Sequence, residues 1–214
     1  MIYLDSAIAS EAIEVMAWGW VKGITTNPTL LAKVTNPPEE TLKALAAITP
    51  GELYYQLVSE DCDGMIREAH RAREIIGDKL VLKIPATFTG FQALSKLAPE
   101  IACSVTAIYH PSQAVIAAEG GAKYAIAYVN RATRLLGDGY ALVKEMKTVL
   151  QGSETTILAA SLKSSDEVAG AIAAGADHIT VPFAMLKTLT SHPLSEETKV
   201  EFNRLGCGLP ETDS

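Results

Sequence analysis

Asp78-Lys79-Leu80-Val81-Leu82-Lys83-Ile84-Pro85 is an apolar run of strand length with a lysine placed next to its end. Side chains alternate faces along a strand, so Leu80, Leu82 and Ile84 form one row while Val81 and Lys83 share the other. A lysine beside a strand end is ordinarily a solvated charge. Here the same pattern, an apolar run closed by a polar residue, recurs along the chain, and that repetition decides both the fold and the role of the lysine.

Before this run, strands are expected at 2–5, 21–24 and 52–58. Helices are expected at 11–17 with Ser6 as cap, at 29–33 with Pro28 in its first turn, at 39–48 and at 62–76. After it, strands are expected at 101–106, 122–129, 156–161 and 177–181. The helices between them fall at 90–97, 111–119, 140–150, 165–174 and 184–189, with Gly120-Gly121 and Gly175 as stops. A last amphipathic stretch, 195–205, stands outside the alternation. Strand and helix alternate at a spacing of roughly 20 to 30 residues, which suits βα units and a parallel sheet. Eight such units in 214 residues fit a closed barrel better than an open sheet, because about 200 residues is the compact end of the barrel class. The expected fold is α/β: a single (β/α)8 TIM barrel domain over 1–214 with 195–205 as an extra C-terminal helix.

Composition narrows the function. With 48% hydrophobic residues the chain can build one sizeable core. A net charge of −7 argues against nucleic acid, whose phosphates require a basic face. The first residues lack a basic segment followed by an apolar one, and no apolar run approaches about 18 residues, so a soluble, cytoplasmic protein without membrane contact is expected. Cys62, Cys103 and Cys207 show no metal spacing and read as ordinary thiols. Asn27-Pro28-Thr29 carries proline where glycosylation forbids it. No strand leads into Gly-x-Gly-x-x-Gly or a Walker loop, which removes the usual support for nucleotide binding.

In a barrel of this kind the active site lies at the C-terminal strand ends. Alternation puts Tyr3 and Asp5 on one face of strand one, Tyr54 and Gln56 on one face of strand three, and Ser104 and Thr106 together on strand five. It groups Tyr124, Ile126 and Tyr128 on strand six, and Ile157, Ala159 and Ser161 on strand seven. Asp5, Gln56, Lys83, Thr106, Tyr128 and Ser161 are then expected to converge at the mouth. A lysine sealed there must be paired or neutral, and a neutral amine can attack a carbonyl to form a Schiff base. Asp5 is the carboxylate that can hold an amine or relay a proton, and Tyr128 can exchange a proton with a carbinolamine oxygen. Gln56, Thr106, Ser161 and Asn27 can fix hydroxyls or water without charge. Arg131, Arg134 and Lys163, just past strands six and seven, stand where barrel enzymes often hold a phosphate.

The motifs Tyr3-Leu4-Asp5, Gly23-Ile24-Thr25-Thr26-Asn27-Pro28, Val81-Leu82-Lys83-Ile84-Pro85, Thr106-Ala107-Ile108-Tyr109, Tyr128-Val129-Asn130-Arg131 and Ala159-Ala160-Ser161-Leu162-Lys163 resemble the transaldolase family. They are most similar to its small members, the fructose-6-phosphate aldolases, from Met1 to about Phe202. The resemblance implies a (β/α)8 barrel with no cofactor and no metal, and Lys83 as the Schiff-base lysine. It places Asp5, Gln56, Thr106 and Tyr128 on acid-base and water-positioning places, and Arg131, Ser161 and Lys163, with Thr26 and Asn27, on substrate-binding ones.

Transaldolases of the family usually carry glutamate where this chain has Gln56 and phenylalanine where it has Tyr128. The Gln56 and Tyr128 pair is similar to the aldolase branch, whose donor is free dihydroxyacetone. Ser6, Ala127 and a tail without an aromatic ending depart from that branch. The resemblance also implies a homo-oligomer, a pentamer or decamer, with 195–205 lying on a neighbour; the alternative is a helix closing its own barrel. His110-Pro111 and His192-Pro193 read as helix entrances, the four histidines form no ligand-like pairs, and Trp18 and Trp20 are expected to pack the first helix on the barrel.

Three functions compete. The leading one is a class I aldolase that forms or cleaves fructose 6-phosphate, or a related sugar phosphate, from dihydroxyacetone and glyceraldehyde 3-phosphate. The second is a transaldolase that moves a dihydroxyacetone unit between sugar phosphates such as sedoheptulose 7-phosphate and glyceraldehyde 3-phosphate. The third is a non-catalytic barrel that binds sugar phosphates.

Overall fold

A computed structural model describes residues 1–209. Residues 210–214, the end of the domain expected at 1–214, lie outside the described residues. The strands are β1 (Ile2–Asp5), β2 (Gly23–Thr25), β3 (Glu52–Gln56), β4 (Leu80–Pro85), β5 (Ala102–Ile108), β6 (Tyr124–Tyr128), β7 (Thr156–Ala160) and β8 (His178–Val181). They pair in parallel in sequence order and close into a barrel through β1 and β8, which is the expected (β/α)8 architecture. The helices are α1 (Ala9–Ala17), α2 (Pro28–Leu31), α3 (Pro38–Ile48), α4 (Cys62–Ile76), α5 (Phe88–Leu97), α6 (Pro111–Glu119), α7 (Val129–Leu136), α8 (Gly139–Val149), α9 (Ser165–Ala173), α10 (Phe183–Leu189) and α11 (Pro193–Leu205). No helix among the described residues is long and apolar enough to cross a membrane.

Local chemistry explains most starts. Asn27, Asp61, Thr87 and Ser164 each accept a hydrogen bond from a backbone N–H of the first turn that follows, satisfying donors that a helix end leaves open. His110 and His192 cap α6 and α11 just ahead of Pro111 and Pro193, as expected of helix entrances. Trp18 stacks on Trp20 and on Phe183, packing the end of α1 against the start of α10.

The structure corrects three expectations. Ser6 does not cap α1: Ile8 occupies that place, and the Ser6 hydroxyl accepts from Ile8 N at 3.1 Å while bonding Glu11. The stretch after β6 turns into α7 at once. Val129 looks like the end of a strand, but Val129 and Ala132 are buried three residues apart, with Asn130, Arg131, Thr133 and Arg134 around them, and Gly137 at φ 96° ends the turn. On β7 the interior residues are Leu158 and Ala160, whereas Ile157 and Ala159 pack toward the helices. The parity assigned to Ser161 is therefore reversed, because both rows of that strand are aliphatic and alternation alone does not tell which one faces in.

Two apolar cores result. Leu4, Leu53, Leu80, Leu82, Ile84, Val105 and their like lie between strands and helices, while Tyr3, Tyr54, Val81, Tyr124, Ile126, Leu158 and Ala160 fill the barrel. At the lower end of the interior, Glu52 accepts from Tyr3 Oη at 2.7 Å, Tyr54 Oη at 3.0 Å, Tyr124 Oη at 2.9 Å and Lys123 Nζ at 2.7 Å. Tyr3 and Tyr54 meet edge to face with ring centres 5.3 Å apart. Gly23 leaves the room this needs, since a Cβ there would stand 2.3 Å from the Glu52 carbonyl and 3.0 Å from the Tyr3 ring.

Burial alone would raise the Glu52 carboxyl, but the hydrogen bonds from Lys123, Tyr3 and Tyr124 outweigh it and hold the group below its ordinary value of 4.5. The folded state thus binds the proton less well than the unfolded chain. The stability Glu52 supplies is complete above pH 4.5 and is lost as the pH falls through the lowered value. Glu52→Gln should cost about 2 kcal/mol at neutral pH in urea unfolding, and its stability should decline less steeply than the parent's on acidification.

Candidate active site

The inward rows of the strands end at a cavity of about 400 Å³. It is lined by Asp5, Asn27, Gln56, Lys83, Tyr128, Arg131, Ser161 and Lys163 from the expected set, and by Lys33 and Thr180 among others. The register explains part of this gathering, since Gln56 pairs with Lys83 across β3 and β4 and Tyr128 pairs with Ala160 across β6 and β7.

Lys83 is 3% exposed, and its Nζ donates to the backbone carbonyl of Thr26 at 3.0 Å. That carbonyl is itself fixed, because Thr26 N and Thr26 Oγ1 both donate to the Tyr54 carbonyl, at 3.2 and 2.7 Å. Thr26 is fully buried, with its hydroxyl turned to Tyr54. Its geometry gives it the task of holding the amine through its carbonyl rather than touching a ligand with its side chain.

Asp5, the last residue of β1, accepts from Thr25 Oγ1 at 2.8 Å. The Thr180 hydroxyl lies 2.6 Å from the Thr25 hydroxyl and completes the chain by donating to it. On the other side of the mouth, Thr106 Oγ1 donates to Tyr128 Oη at 3.0 Å. Thr106 is 1% exposed and lies behind the phenol rather than on the cavity wall. The Arg131 guanidinium stands 5.1 Å from the centre of the Tyr128 ring, a cation–π contact.

Ser161 lies one residue beyond β7 in a left-handed conformation, φ 60°. For a residue with a Cβ this costs about 1 kcal/mol, and the backbone is held there by Asn130 N, which donates to the Ser161 carbonyl at 3.2 Å. The turn brings Ser161 to the mouth in spite of the reversed parity of its strand. Ala107, φ 59°, marks a similar break in β5, where the pairing with β6 shifts between Val105 and Ile108. Asn27 spends its side-chain oxygen on Leu30 N at 3.0 Å, which leaves its amide nitrogen for the cavity. Arg134 was expected near the phosphate-holding group and is not on the cavity wall.

Sequence reasoning missed four residues here. Thr25 and Thr180 fall on the inward rows of β2 and β8, where alternation could have found them. Glu167 of α9 accepts from Asn130 Nδ2 at 2.7 Å and from Lys163 N at 2.7 Å, tying the segments that carry Arg131 and Lys163 to each other. Neither its bond partners nor the approach of Lys33 to the mouth leaves a trace in local sequence.

These features define a class: a (β/α)8 barrel enzyme whose mouth is arranged about a buried lysine. The family model for transaldolase/fructose-6-phosphate aldolase matches residues 2–208, and the chain belongs to that family as an enzyme of the transaldolase type. A probable transaldolase of Hydrogenobaculum sp. (strain Y04AAS1) is 39% identical over 91% of this chain and 90% of the relative. Another, of Thermoplasma volcanium, is 37% identical over 94% of this chain and 92% of the relative. Among solved structures, a mandelate oxidase variant superimposes with a TM-score of 0.61 at 18% identity, covering 94% of this chain and 69% of the other, a likeness of fold alone.

Thr25→Val keeps the shape of the side chain and removes the donor to Asp5. Turnover should fall about tenfold with little change in melting temperature, as read from steady-state kinetics and a thermal melt of the same preparation.

Proposed function

We propose that the protein is a class I aldolase that cleaves or forms fructose 6-phosphate, or a closely related ketose phosphate, through a Schiff base on Lys83. The observation that carries this reading is the Lys83 amine, 3% exposed, held by a carbonyl at 3.0 Å and opening on the cavity that Asp5 and Tyr128 share. An amine so placed, at the floor of a cavity and largely out of bulk water, is positioned to meet a ketone.

In the cleavage direction Lys83 Nζ adds to C2 of the ketose, and the carbinolamine loses its oxygen as water, with Tyr128 supplying the proton directly or through a water molecule. The resulting iminium draws electrons from the C3–C4 bond. Asp5 takes the proton of the C4 hydroxyl, the bond breaks, and the aldehyde leaves, with an enamine remaining on the lysine. Protonation at C3 and addition of water then return dihydroxyacetone and the free amine. Arg131, Ser161 and Lys163 hold the phosphate, while Asn27 and Gln56 position hydroxyls. Thr25 and Thr180 fix Asp5, and Thr106 fixes the Tyr128 phenol.

The phenol at 128 and the amide at 56 support hydrolysis of the enamine over its transfer, because Tyr128 Oη is held by Thr106 at 3.0 Å as a proton carrier. A second reading, transfer of the dihydroxyacetone unit to an acceptor sugar phosphate, is favoured by the curated relatives being named probable transaldolase. The enzyme acts in the cytoplasm on small molecules. It works as a homo-oligomer through α11, which buries none of its residues and exposes Leu194, Val200, Phe202 and Leu205.

Borohydride added with dihydroxyacetone should fix the three-carbon unit on the peptide that contains Lys83, and Lys83→Met should abolish both adduct and turnover. No adduct would end the Schiff-base reading. Free dihydroxyacetone released from fructose 6-phosphate without an acceptor separates cleavage from transfer, and Tyr128→Phe should lower that release about 100-fold while keeping more of any transfer. Sedimentation of the whole protein should give a multiple of the 22.8 kDa chain, reduced on replacing Phe202 and Leu205 by serine.

A further inference from the structure

The mouth is charged out of keeping with the chain. The formal net charge is −7, yet the cavity gathers Lys33, Lys83, Arg131 and Lys163 around Asp5. The aldolase reading uses Lys83 as nucleophile and Arg131 and Lys163 as phosphate holders. Lys33 has no task in it.

Its placement differs from theirs. Arg131 and Lys163 follow β6 and β7, whereas Lys33 follows β2, which is three strands from β7 by way of β8 and β1, and four from β6. Lys33 thus approaches from the facing rim. It rides on the segment from the end of α2 to the start of α3 at Pro38. Asn27 pins the entry to α2, and past Leu31 the backbone bonds are local: Ala32 N donates to the Pro28 carbonyl at 3.0 Å, Lys33 N to the Leu30 carbonyl at 3.1 Å and Val34 N to the Leu31 carbonyl at 3.4 Å, while the Asn36 carbonyl accepts from Thr41 Oγ1 at 3.5 Å. Open space flanks the segment on two sides: a crevice of about 480 Å³ against Tyr55, Gln56 and Val58, and another of about 310 Å³ against Ala7 and Ile8. Leu31 and Val34 pack on the core, but Lys33 between them is exposed and borders open space, so its side chain can turn toward a ligand without displacing packed groups.

We propose that Lys33 is a specificity-determining residue that engages the phosphate of the bound sugar from the rim facing Arg131 and Lys163. An ammonium on a flexible stem suits an anion whose position changes with the length of the sugar, and the exposed side chain has room to follow it. The proposal deepens the aldolase reading and rests on it for the substrate.

Lys33→Met keeps the aliphatic stem and removes the charge; Lys33→Arg restores it. With dihydroxyacetone as donor, Lys33→Met should raise KM for glyceraldehyde 3-phosphate by about tenfold more than any change for glyceraldehyde, with kcat within about twofold of the parent's, and Lys33→Arg should recover most of the difference. Equal KM shifts for both aldehydes, or none, would overturn the assignment. Inorganic phosphate titrated into the same proteins by calorimetry gives a reading independent of turnover: about tenfold weaker binding to Lys33→Met supports the proposal, and equal affinity rejects it. Borohydride trapping of unphosphorylated dihydroxyacetone on Lys83 of the parent tests the aldolase reading separately, so a missing adduct ends that reading while the phosphate titration still decides Lys33.

Discussion

The structure depends on one buried hydrogen bond, from the Lys83 amine to the Thr26 carbonyl at 3.0 Å. Taking an amine out of water is costly unless a partner meets it, and a carbonyl is a partner that satisfies the amine without requiring it to be charged. Asp5 is bonded to Thr25 instead, and the lysine is met by a backbone atom that Tyr54 fixes in turn.

That arrangement needs a barrel closed to water from beneath. Three tyrosines and an acid–ammonium pair do this, with Glu52 accepting from Tyr3, Tyr54, Tyr124 and Lys123. Every buried side-chain nitrogen and oxygen among the described residues has a partner, so the polar plug seals the bottom without the penalty of orphaned groups. Glu52, Tyr54 and Gln56 occupy the same row of β3, which makes this one strand a seal at its foot, a brace at its middle and a wall of the mouth at its end.

The upper rim is built differently, from short segments tied across strands. Glu167 binds both the Asn130 side chain and the Lys163 backbone, and Asn130 N holds the strained Ser161. The side of the mouth that carries Arg131, Ser161 and Lys163 is thereby a single hydrogen-bonded unit. The facing side, with Lys33, lies between two crevices. The mouth thus has one tied flank and one bordered by open space.

What the sequence determined was the barrel and most of its lining. Alternation placed Tyr3, Tyr54, Val81, Lys83, Tyr124 and Tyr128 inside, because each of these rows contrasts with an aliphatic row on the other face. Where that contrast is missing, as on β7, the reading put the wrong row inside, and where a helix starts directly from a strand, as at Val129, its first residue passed for the strand's last. Only the tertiary structure decided how each polar atom is spent: that Thr26 serves through its carbonyl, that Thr106 backs Tyr128, that Ser161 reaches the mouth by a left-handed turn, and that Lys33 comes from the facing rim. A row of side chains is a local property of a strand's geometry, whereas a hydrogen-bond partner is fixed by residues brought close from distant parts of the chain, and no local pattern encodes that.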